Sequence, residues 1–378
     1  MPYTNPAQRI GKWKGEILSR AIPVEVLQIA GVQKAMPKNV SNTVVYRRWV
    51  PYYADKTTNV TDGRNTDGTL NNGRLIPGRT TTETEASNLV TTLLGLNSGG
   101  AERNLLTEGS TPSADTMVAQ DVTVTLAQYG CLYSFTDVQS DLGEDDIEDA
   151  LKTQVAERIA LVRELELYSK VRAATNKFYV NGSAINTINT TLTANVLRKV
   201  ARSLANNHAK KQTNILAPSA NIGTKPIEAA YLVFCHTDLE ADLRDTTAFP
   251  GYTPVAEYGS RKPLHENEIG SFESFRFVAS PELVPYTNGG ALVGTTGCLA
   301  SSTNVDVYPV IVTGQEAYGT VALRGSNAFD LSVIPVGTKD KSDPLGQRGY
   351  VGAKFYASSA VLNQHWMAVV FTGVKSLA

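Results

Sequence analysis

The sequence predicts a mixed α+β fold, and three observations carry this prediction. From about Glu144 to Asn176, apolar residues recur every three or four positions, which is the spacing of one face of a long helix. Other segments, such as DVTVTLAQYGCLYSF, alternate apolar and polar residues, as half-buried strands do. The length of 378 residues exceeds the usual size of one hydrophobic core, so we expect two or three lobes.

The composition narrows the class of protein. Lys and Arg total 35 against 36 Asp and Glu, and a dedicated nucleic-acid binder would carry a basic excess. Cys131, Cys235 and Cys298 form no C-x-x-C pair, so we expect buried, reduced thiols and a cytoplasmic origin. The first thirty residues contain no continuous apolar segment, and the apolar run from Trp366 to Phe371 is far shorter than the ~20 residues of a membrane span. A soluble protein without an export signal is expected.

Residues 1–42 are interpreted as an N-terminal arm. Lys12, Lys14 and Arg20 surround Trp13, and such a group can contact phosphates or stack on a base. The alternative is an ordinary solvated terminus. Within the arm, a helix is predicted from about Glu16 to Ala30. Its proposed apolar face consists of Ile17, Leu18, Val24, Leu27 and Ile29.

Residues 43–135 are predicted to form strands on either side of a long projecting excursion. TVVYRRWVPYY, from Thr43, is β-branched and aromatic and fits a strand that Pro51 helps to end. Residues 54–102 are dominated by Thr, Asn and Gly, and a loop of this length is usually functional or disordered. In the strand that follows, Val122 and Val124 face one side of the predicted sheet, with the intervening threonines on the other.

Residues 136–182 contain the predicted helix, which at ~1.5 Å per residue would extend roughly 45–50 Å and act as a spine. Acidic residues crowd its first turns. A pair of them could be imagined as catalytic carboxylates, but the helix dipole explains acids at this position without any substrate. They are Glu144, Asp145, Asp146, Glu148 and Asp149.

Residues 183–335 are predicted to form an inserted α+β domain. A helix is expected to begin after Thr193 as N-cap, with Val196, Leu197, Val200 and Leu204 facing inward. The strand YLVFCH runs into TDLEADLRD, where Thr237 and Glu240 have the spacing of a capping box. Further strands are predicted at FESFRFVA, VDVYPVIV and TVALRG. Residues 336–378 are predicted to return to the first sheet.

Motifs for catalysis or metal binding are largely missing from the sequence. HENEI, from His265, has Ile269 where a zinc-protease helix needs its second histidine. DGRNTDG lacks the acid that a calcium loop requires, so its polar residues are better explained as Asx turns. No G-x-S-x-G, P-loop or dinucleotide fingerprint occurs. We therefore expect no catalytic, cofactor or metal residues, and no enzyme.

Two segments give the sequence a specific resemblance. The order of arm, long loop, spine helix, inserted domain and returning strands resembles the HK97 fold of tailed-phage major capsid proteins. More narrowly, Leu106 to Val138 and DPLGQRGYVGAKFYASSAVLNQHWMAVV resemble signature segments of the N-four-like phage capsid family. The matching motifs are LTEG from Leu106, QYG from Gln128, TDV from Thr136 and the QRG–G–K pattern from Gln347 to Lys354.

The resemblance implies roles for these parts. The loop would be an E-loop lying over neighbouring subunits, residues 183–335 an A-domain, and residues 336–378 a return to the P-domain sheet. Val351, Ala353 and Phe355 would face the core of that sheet, with Lys354 and Tyr356 on the other side. Trp366 would belong to the same sheet. Candidate inter-subunit residues of the E-loop are Lys56, Arg64, Arg74, Arg79 and Glu108.

A capsid subunit of this kind would assemble as hexamers and pentamers into an icosahedral head around double-stranded DNA. The resemblance further implies a portal protein, a scaffolding protein and a cement or decoration protein as partners. It implies non-specific contact of the arm with DNA, assembly in the bacterial host cytoplasm and no membrane partner. Two alternatives remain: a phage tail or fibre protein, which would form a small symmetric oligomer, and a monomeric or dimeric hydrolase with an unrecognised site.

Overall fold

The computed structural model describes residues 24–36, 41–49, 108–109, 111, 119–142, 147–216, 226–258, 263–294, 296–323, 329–339, 341 and 343–377. Its helices are α1 (Asp137–Leu142), α2 (Ile147–Val171), α3 (Ala194–Asn206) and α4 (Leu239–Arg244). The first seven strands are β1 (Val32–Met36), β2 (Thr43–Trp49), β3 (Ala119–Thr125), β4 (Ala127–Thr136), β5 (Lys177–Tyr179), β6 (Tyr231–Cys235) and β7 (Thr253–Pro254). The others are β8 (Glu268–Phe272), β9 (Phe275–Ala279), β10 (Tyr308–Thr313), β11 (Tyr318–Leu323), β12 (Phe329–Ile334), β13 (Arg348–Val361) and β14 (Met367–Thr372).

The chain divides into two compact units, one of residues 1–44 and 123–378 and the other of residues 45–122. β2 and β3 form a two-stranded sheet of their own. The two strands predicted on either side of the Thr, Asn and Gly-rich segment are therefore paired with each other. The segment itself, residues 54–102, lies outside the described residues.

A five-stranded sheet is organised around the long strand β13. Gly352 of β13 pairs with Leu132 of β4 and with Ser332 of β12, so these two strands lie on opposite edges of β13. β11 pairs with the last residues of β13, and β1 lies parallel to β11. Strands from three separate parts of the chain, β1, β4 and the consecutive strands β11 to β13, thus meet in one sheet.

A seven-stranded mixed sheet has the order β5-β14-β10-β6-β9-β8-β7. Both of its faces are buried, because alternate residues of the central strands enter two different cores. Val233 of β6 packs in a core with α3 and α4, whereas Leu232 and Phe234 pack with the C-terminal part of α2. A continuous apolar run such as YLVFC is the expected signature of a strand buried on both faces.

Helix α2 joins the two sheets. Val155 and Ile159 in its N-terminal half pack against Val351 of the five-stranded sheet. Leu167 and Val171 in its C-terminal half pack against the seven-stranded sheet. The predicted spine helix is confirmed, but it begins at Ile147 and ends at Val171. The residues before it include the separate short helix α1.

The prediction for α3 is confirmed in position. The helix follows Thr193, and Leu197, Val200 and Leu204 are fully buried. The predicted capping box of α4 is wrong, because Asp238 is the N-cap and makes no side-chain cap hydrogen bond. FESFRFVA is not one strand: Glu273 has a positive φ of 47°, so the chain turns there and the segment is divided between β8 and β9.

Within residues 1–42 the structure describes residues 24–36, and there the helix predicted from about Glu16 to Ala30 is wrong. These residues contain a short 3₁₀-helix, Leu27–Ile29, and the strand β1, not the C-terminal half of an amphipathic helix. Val26 and Leu27 are fully buried. The reason is long-range, since β1 gains its hydrogen-bonding partner from β11, almost 300 residues later.

The predicted boundary between residues 183–335 and 336–378 does not coincide with the division of the strands between the two sheets. β11 and β12 lie in the five-stranded sheet, and β14 lies in the seven-stranded sheet. Trp366, expected in the same sheet as Val351 and Phe355, instead ends the 3₁₀-helix Gln364–Trp366 and packs beside the core of the seven-stranded sheet. The Asn363 side chain accepts a hydrogen bond from the His365 amide there, and the chain crosses between the sheets.

Candidate assembly surfaces

The five-stranded sheet has one covered face and one open face among the described residues. Phe135, Val351 and Phe355 point toward α2 and are buried. On the opposite face Leu132 is 65% exposed, and Lys354 is also exposed. This alternation follows from the period of two along a strand, and it leaves an apolar side chain at the centre of the open face.

Gly352 shapes the centre of that face. A Cβ atom at this position would lie 2.8 Å from Leu132 Cδ1 and 2.7 Å from the Cys131 carbonyl oxygen. The absence of a side chain therefore lets Leu132 lie across β13. Lys354 and Asp330 form an exposed ion pair nearby, with Nζ and Oδ2 3.2 Å apart. The open face thus has the apolar side chain of Leu132 at its centre and the Lys354–Asp330 ion pair beside it.

We use the term distal end for α1 together with the described residues of the β12–β13 connection, which are 335–339, 341 and 343–347. The Asp137 amide donates to the Gln347 carbonyl oxygen over 3.0 Å, which holds the helix beside the connection. Val138 and Leu142 are four residues apart on α1, and so share one face. They are 60% and 81% exposed, and Leu345 in the connection is 72% exposed.

The distal end also carries charges of both signs. Asp141 on α1 is exposed, and so are Lys339 in the connection and Arg348 at the start of β13. Asp343 is turned inward, since its side chain accepts from the amides of Gly346 and Arg348. A helix with acidic residues therefore lies next to a loop that exposes Lys339, and each presents a large aliphatic side chain to the exterior.

The structure locates only part of the predicted site residues. Glu108 is exposed in a turn with Gly109, and Val351 and Phe355 are buried in β13. Trp366 lies at the other sheet, where its Nε1 donates to the Asn207 carbonyl oxygen. The remaining predicted residues lie outside the described part of the chain. These are Lys12, Trp13, Lys14 and Arg20 of the arm, and Lys56, Arg64, Arg74 and Arg79 of the E-loop.

The aliphatic residues of the distal end were not among the residues predicted from the sequence. Val138 and Leu142 gave a usable signal, because they are an i, i+4 apolar pair directly after the strand that ends at Thr136. Leu345 gave none, since a single leucine in a loop is common. The pairing of Thr136 with Arg348 across β4 and β13, together with the hydrogen bond from Asp137 to Gln347, brings these residues to the same end of the sheet.

The described residues contain no group of three His, Cys, Asp or Glu side chains that could hold a metal ion. His265 of the HENEI stretch accepts a hydrogen bond from the Asn267 amide at Nδ1, and burial lowers its pKa. Cys131, Cys235 and Cys298 are free thiols, and burial raises the pKa of Cys235 to about 12. Among the described helices, none combines the length and apolarity needed to cross a bilayer.

Solved structures define the class of this fold. The capsid of Ralstonia phage GP4 superposes with a TM-score of 0.57 at 12% identity, covering 93% of this chain and 89% of that one. The cyanophage Pam1 capsid gives a TM-score of 0.52 at 13% identity, covering 95% and 93%. The architecture is the HK97-like fold of phage capsid subunits.

Sequence comparison then gives the family. A family model described as "Phage capsid protein" matches residues 119–357, and the chain belongs to this family. The major capsid protein of Pseudomonas phage KPP21 is 24% identical over 367 residues, covering 89% of this chain and 85% of the relative. The function is that of a major capsid protein, and the tail or fibre alternative is not supported.

Proposed function

We propose that this chain self-assembles into hexamers and pentamers that form an icosahedral head around the double-stranded DNA genome. The family match carries the proposal, and the distal end supplies a physical means of association. It exposes Val138, Leu142 and Leu345. Burying these side chains against a second copy would lower the free energy, because apolar surface leaves water.

The proposed contact places α1 of one copy against the β12–β13 connection of the next. Because the two surfaces differ, the contact is head-to-tail and closes into a ring when the rotation permits. Burial of one such aliphatic side chain contributes about 1.5–3 kcal/mol, and Asp141 would approach Lys339. Each contact is weak enough to reverse, while the sum over many copies holds a closed shell together.

The other proposed partners follow from the role of a shell subunit. A portal protein, a scaffolding protein and a cement or decoration protein would bind the assembled lattice in the host cytoplasm. Lys12, Trp13, Lys14 and Arg20 would contact DNA without sequence preference. The E-loop residues Lys56, Arg64, Arg74, Arg79 and Glu108 would contact neighbouring subunits. The proposed role is structural, with no catalytic step.

The test is sedimentation of the full-length recombinant chain, followed by negative-stain imaging of the fastest fraction. Closed shells or hexameric and pentameric capsomers are expected. Replacing Leu142 and Leu345 by Asp should shift the protein to slowly sedimenting subunits, because the substitutions put charge into the proposed contact. The matched control replaces both residues by Met, which keeps the surface apolar, and it should assemble.

Circular dichroism and thermal unfolding of each variant separate misfolding from failed assembly. A wild-type chain that stays monomeric, even with a scaffolding protein added, contradicts the capsid assembly itself. Full assembly of the folded Asp variant contradicts only the role of the distal end.

A further inference from the structure

Residues 24–36 are bound tightly to the rest of the first compact unit. Val26 and Leu27 are fully buried, and Ala30 is 2% exposed. The Tyr318 hydroxyl donates to the Leu27 carbonyl oxygen, and Gly31 lies against the Tyr318 ring. β1 then pairs with β11. We call residues 24–36 the N-terminal strap.

A buried carboxyl group on α2 also holds the strap. Glu164 is 0% exposed, and its Oε1 accepts a hydrogen bond of 2.9 Å from the Leu27 amide. The Val26 amide also faces this carboxyl group. Oε2 is buried and has no hydrogen-bond partner among the described residues. An ionised carboxylate in this position would have half of its hydrogen-bonding capacity unmet, at a large cost in free energy.

The charged groups around Glu164 do not compensate an ionised form. Glu25 in the strap and Glu282 in the β9–β10 connection both repel it. Arg163, the residue before Glu164 on α2, is paired with Glu25, with Nη1 and Oε1 2.9 Å apart. Tyr318 of β11 is neutral, since burial raises its pKa well above the usual value. Burial is the largest cause that raises the pKa of Glu164, to about 8.

We propose that Glu164 is a proton-linked latch for the N-terminal strap. The neutral carboxyl group accepts the Leu27 amide and fits the apolar site, so it holds the strap against α2. When the strap opens, water reaches Glu164 and the group loses its proton. The inference concerns the subunit alone and does not depend on the proposed assembly.

The sign of the pH effect follows from linkage. The closed form keeps the proton up to about pH 8, whereas an exposed glutamate loses it near its ordinary value of about 4.3. Between these values the open form binds fewer protons, so rising pH favours opening, by up to about tenfold in the equilibrium constant per pH unit. Below this window and above about pH 8 the dependence on Glu164 disappears, because both forms then have the same protonation.

Hydrogen exchange of the strap amides in the full-length, unassembled subunit tests the latch from pH 5 to pH 9. After correction for the intrinsic exchange rate, the wild-type opening constant should rise steeply with pH and level off near pH 8. Glu164→Gln keeps an acceptor for the Leu27 amide but cannot ionise, so the opening constant of this variant should change little with pH. Glu157→Gln is the matched control, since Glu157 is exposed on the same helix, and it should behave as the wild type does.

A second variant tests the acceptor itself. Glu164→Leu removes the oxygen that binds the Leu27 amide, so the strap should open more readily than in Glu164→Gln throughout the pH range. A wild-type opening constant that is flat with pH overturns the proposal. An unchanged pH dependence in Glu164→Gln also overturns it, because the titration would then belong to another group, such as Glu25, whose pKa burial raises.

Discussion

At the scale of single residues, a buried ion pair stabilises the β8–β9 hairpin. The Arg276 and Glu268 side chains are 3% and 0% exposed, with Nε and Oε1 2.7 Å apart. The Tyr258 hydroxyl donates to Oε1 and the Leu264 amide to Oε2. Both oxygens of Glu268 are therefore occupied. The acidic residue that ends the HENE stretch is the counter-ion of an arginine and not a metal ligand.

Removing one partner of this pair should be costly, because the other charge then remains buried and unpaired. We expect Arg276→Met to lower the free energy of unfolding by about 3–5 kcal/mol, measured by urea denaturation. The matched control is Arg198→Met. Arg198 pairs with Glu273 on the same hairpin, but those side chains are 47% and 42% exposed, so its loss should have little effect. Equal losses in the two variants would show that burial does not decide the effect.

Gly349 illustrates how one residue of the QRG motif serves packing. A Cβ atom at this position would collide with the Phe135 ring, which is buried under α2. Gly349 pairs directly with Phe135 across β13 and β4. The glycine therefore makes room for an aromatic ring in the core, and this is a physical reason for its place in the motif.

At the scale of elements, α2 determines how the two sheets are held together. Its 25 residues extend ~37 Å at 1.5 Å per residue, long enough for its two halves to enter different cores. Leu167 is fully buried in the core of the seven-stranded sheet, whereas Leu165, two residues earlier, is 38% exposed. The same helix thus offers a buried and an exposed leucine for comparison.

Leu167→Ala should therefore leave a cavity between α2 and the seven-stranded sheet. We expect it to lower the free energy of unfolding by about 2–5 kcal/mol, and Leu165→Ala to lower it by about 1 kcal/mol or less. Thermal and urea unfolding of the unassembled subunit measure both values. A cost for Leu165→Ala as large as that for Leu167→Ala would contradict the assigned face of α2.

At the scale of the whole molecule, the last strand is central and not peripheral. β14 lies between β5 and β10, and all six of its residues are buried. The strand before it, β13, organises the other sheet. Both sheets therefore stay incomplete until the last part of the chain has been incorporated.

A truncation tests this dependence. A chain that ends at Val361 lacks β14, so we expect it to lose the seven-stranded sheet and to accumulate as insoluble protein. A chain that ends at Ser376 should remain folded, since Leu377 is 78% exposed. Soluble yield and far-ultraviolet circular dichroism provide the comparison. A folded, soluble protein ending at Val361 would show that the sheet can form without its second strand.

The sequence alone determined the elements whose signal is local. The periodicity of α2 and α3, the alternation in β3 and β4, and the continuous apolar run of β6 follow from which side chains must leave water within one turn or one pleat. The motifs in Leu106 to Val138 and in residues 343–370 also identified the capsid fold, because whole signature segments carry more information than periodicity.

Only the tertiary structure decided which sheet each strand joins and which surfaces remain open. β1 forms only by pairing with β11. Trp366 lies in the 3₁₀-helix where the chain passes from one sheet to the other. Glu164 accepts a hydrogen bond from the Leu27 amide, 137 residues away in the sequence. A strand pattern states which side chains are buried but does not name the neighbouring strand. The pairing of strands, the burial of Glu164 and the exposed distal end all result from contacts between distant parts of the chain. Such contacts leave no local pattern in the sequence.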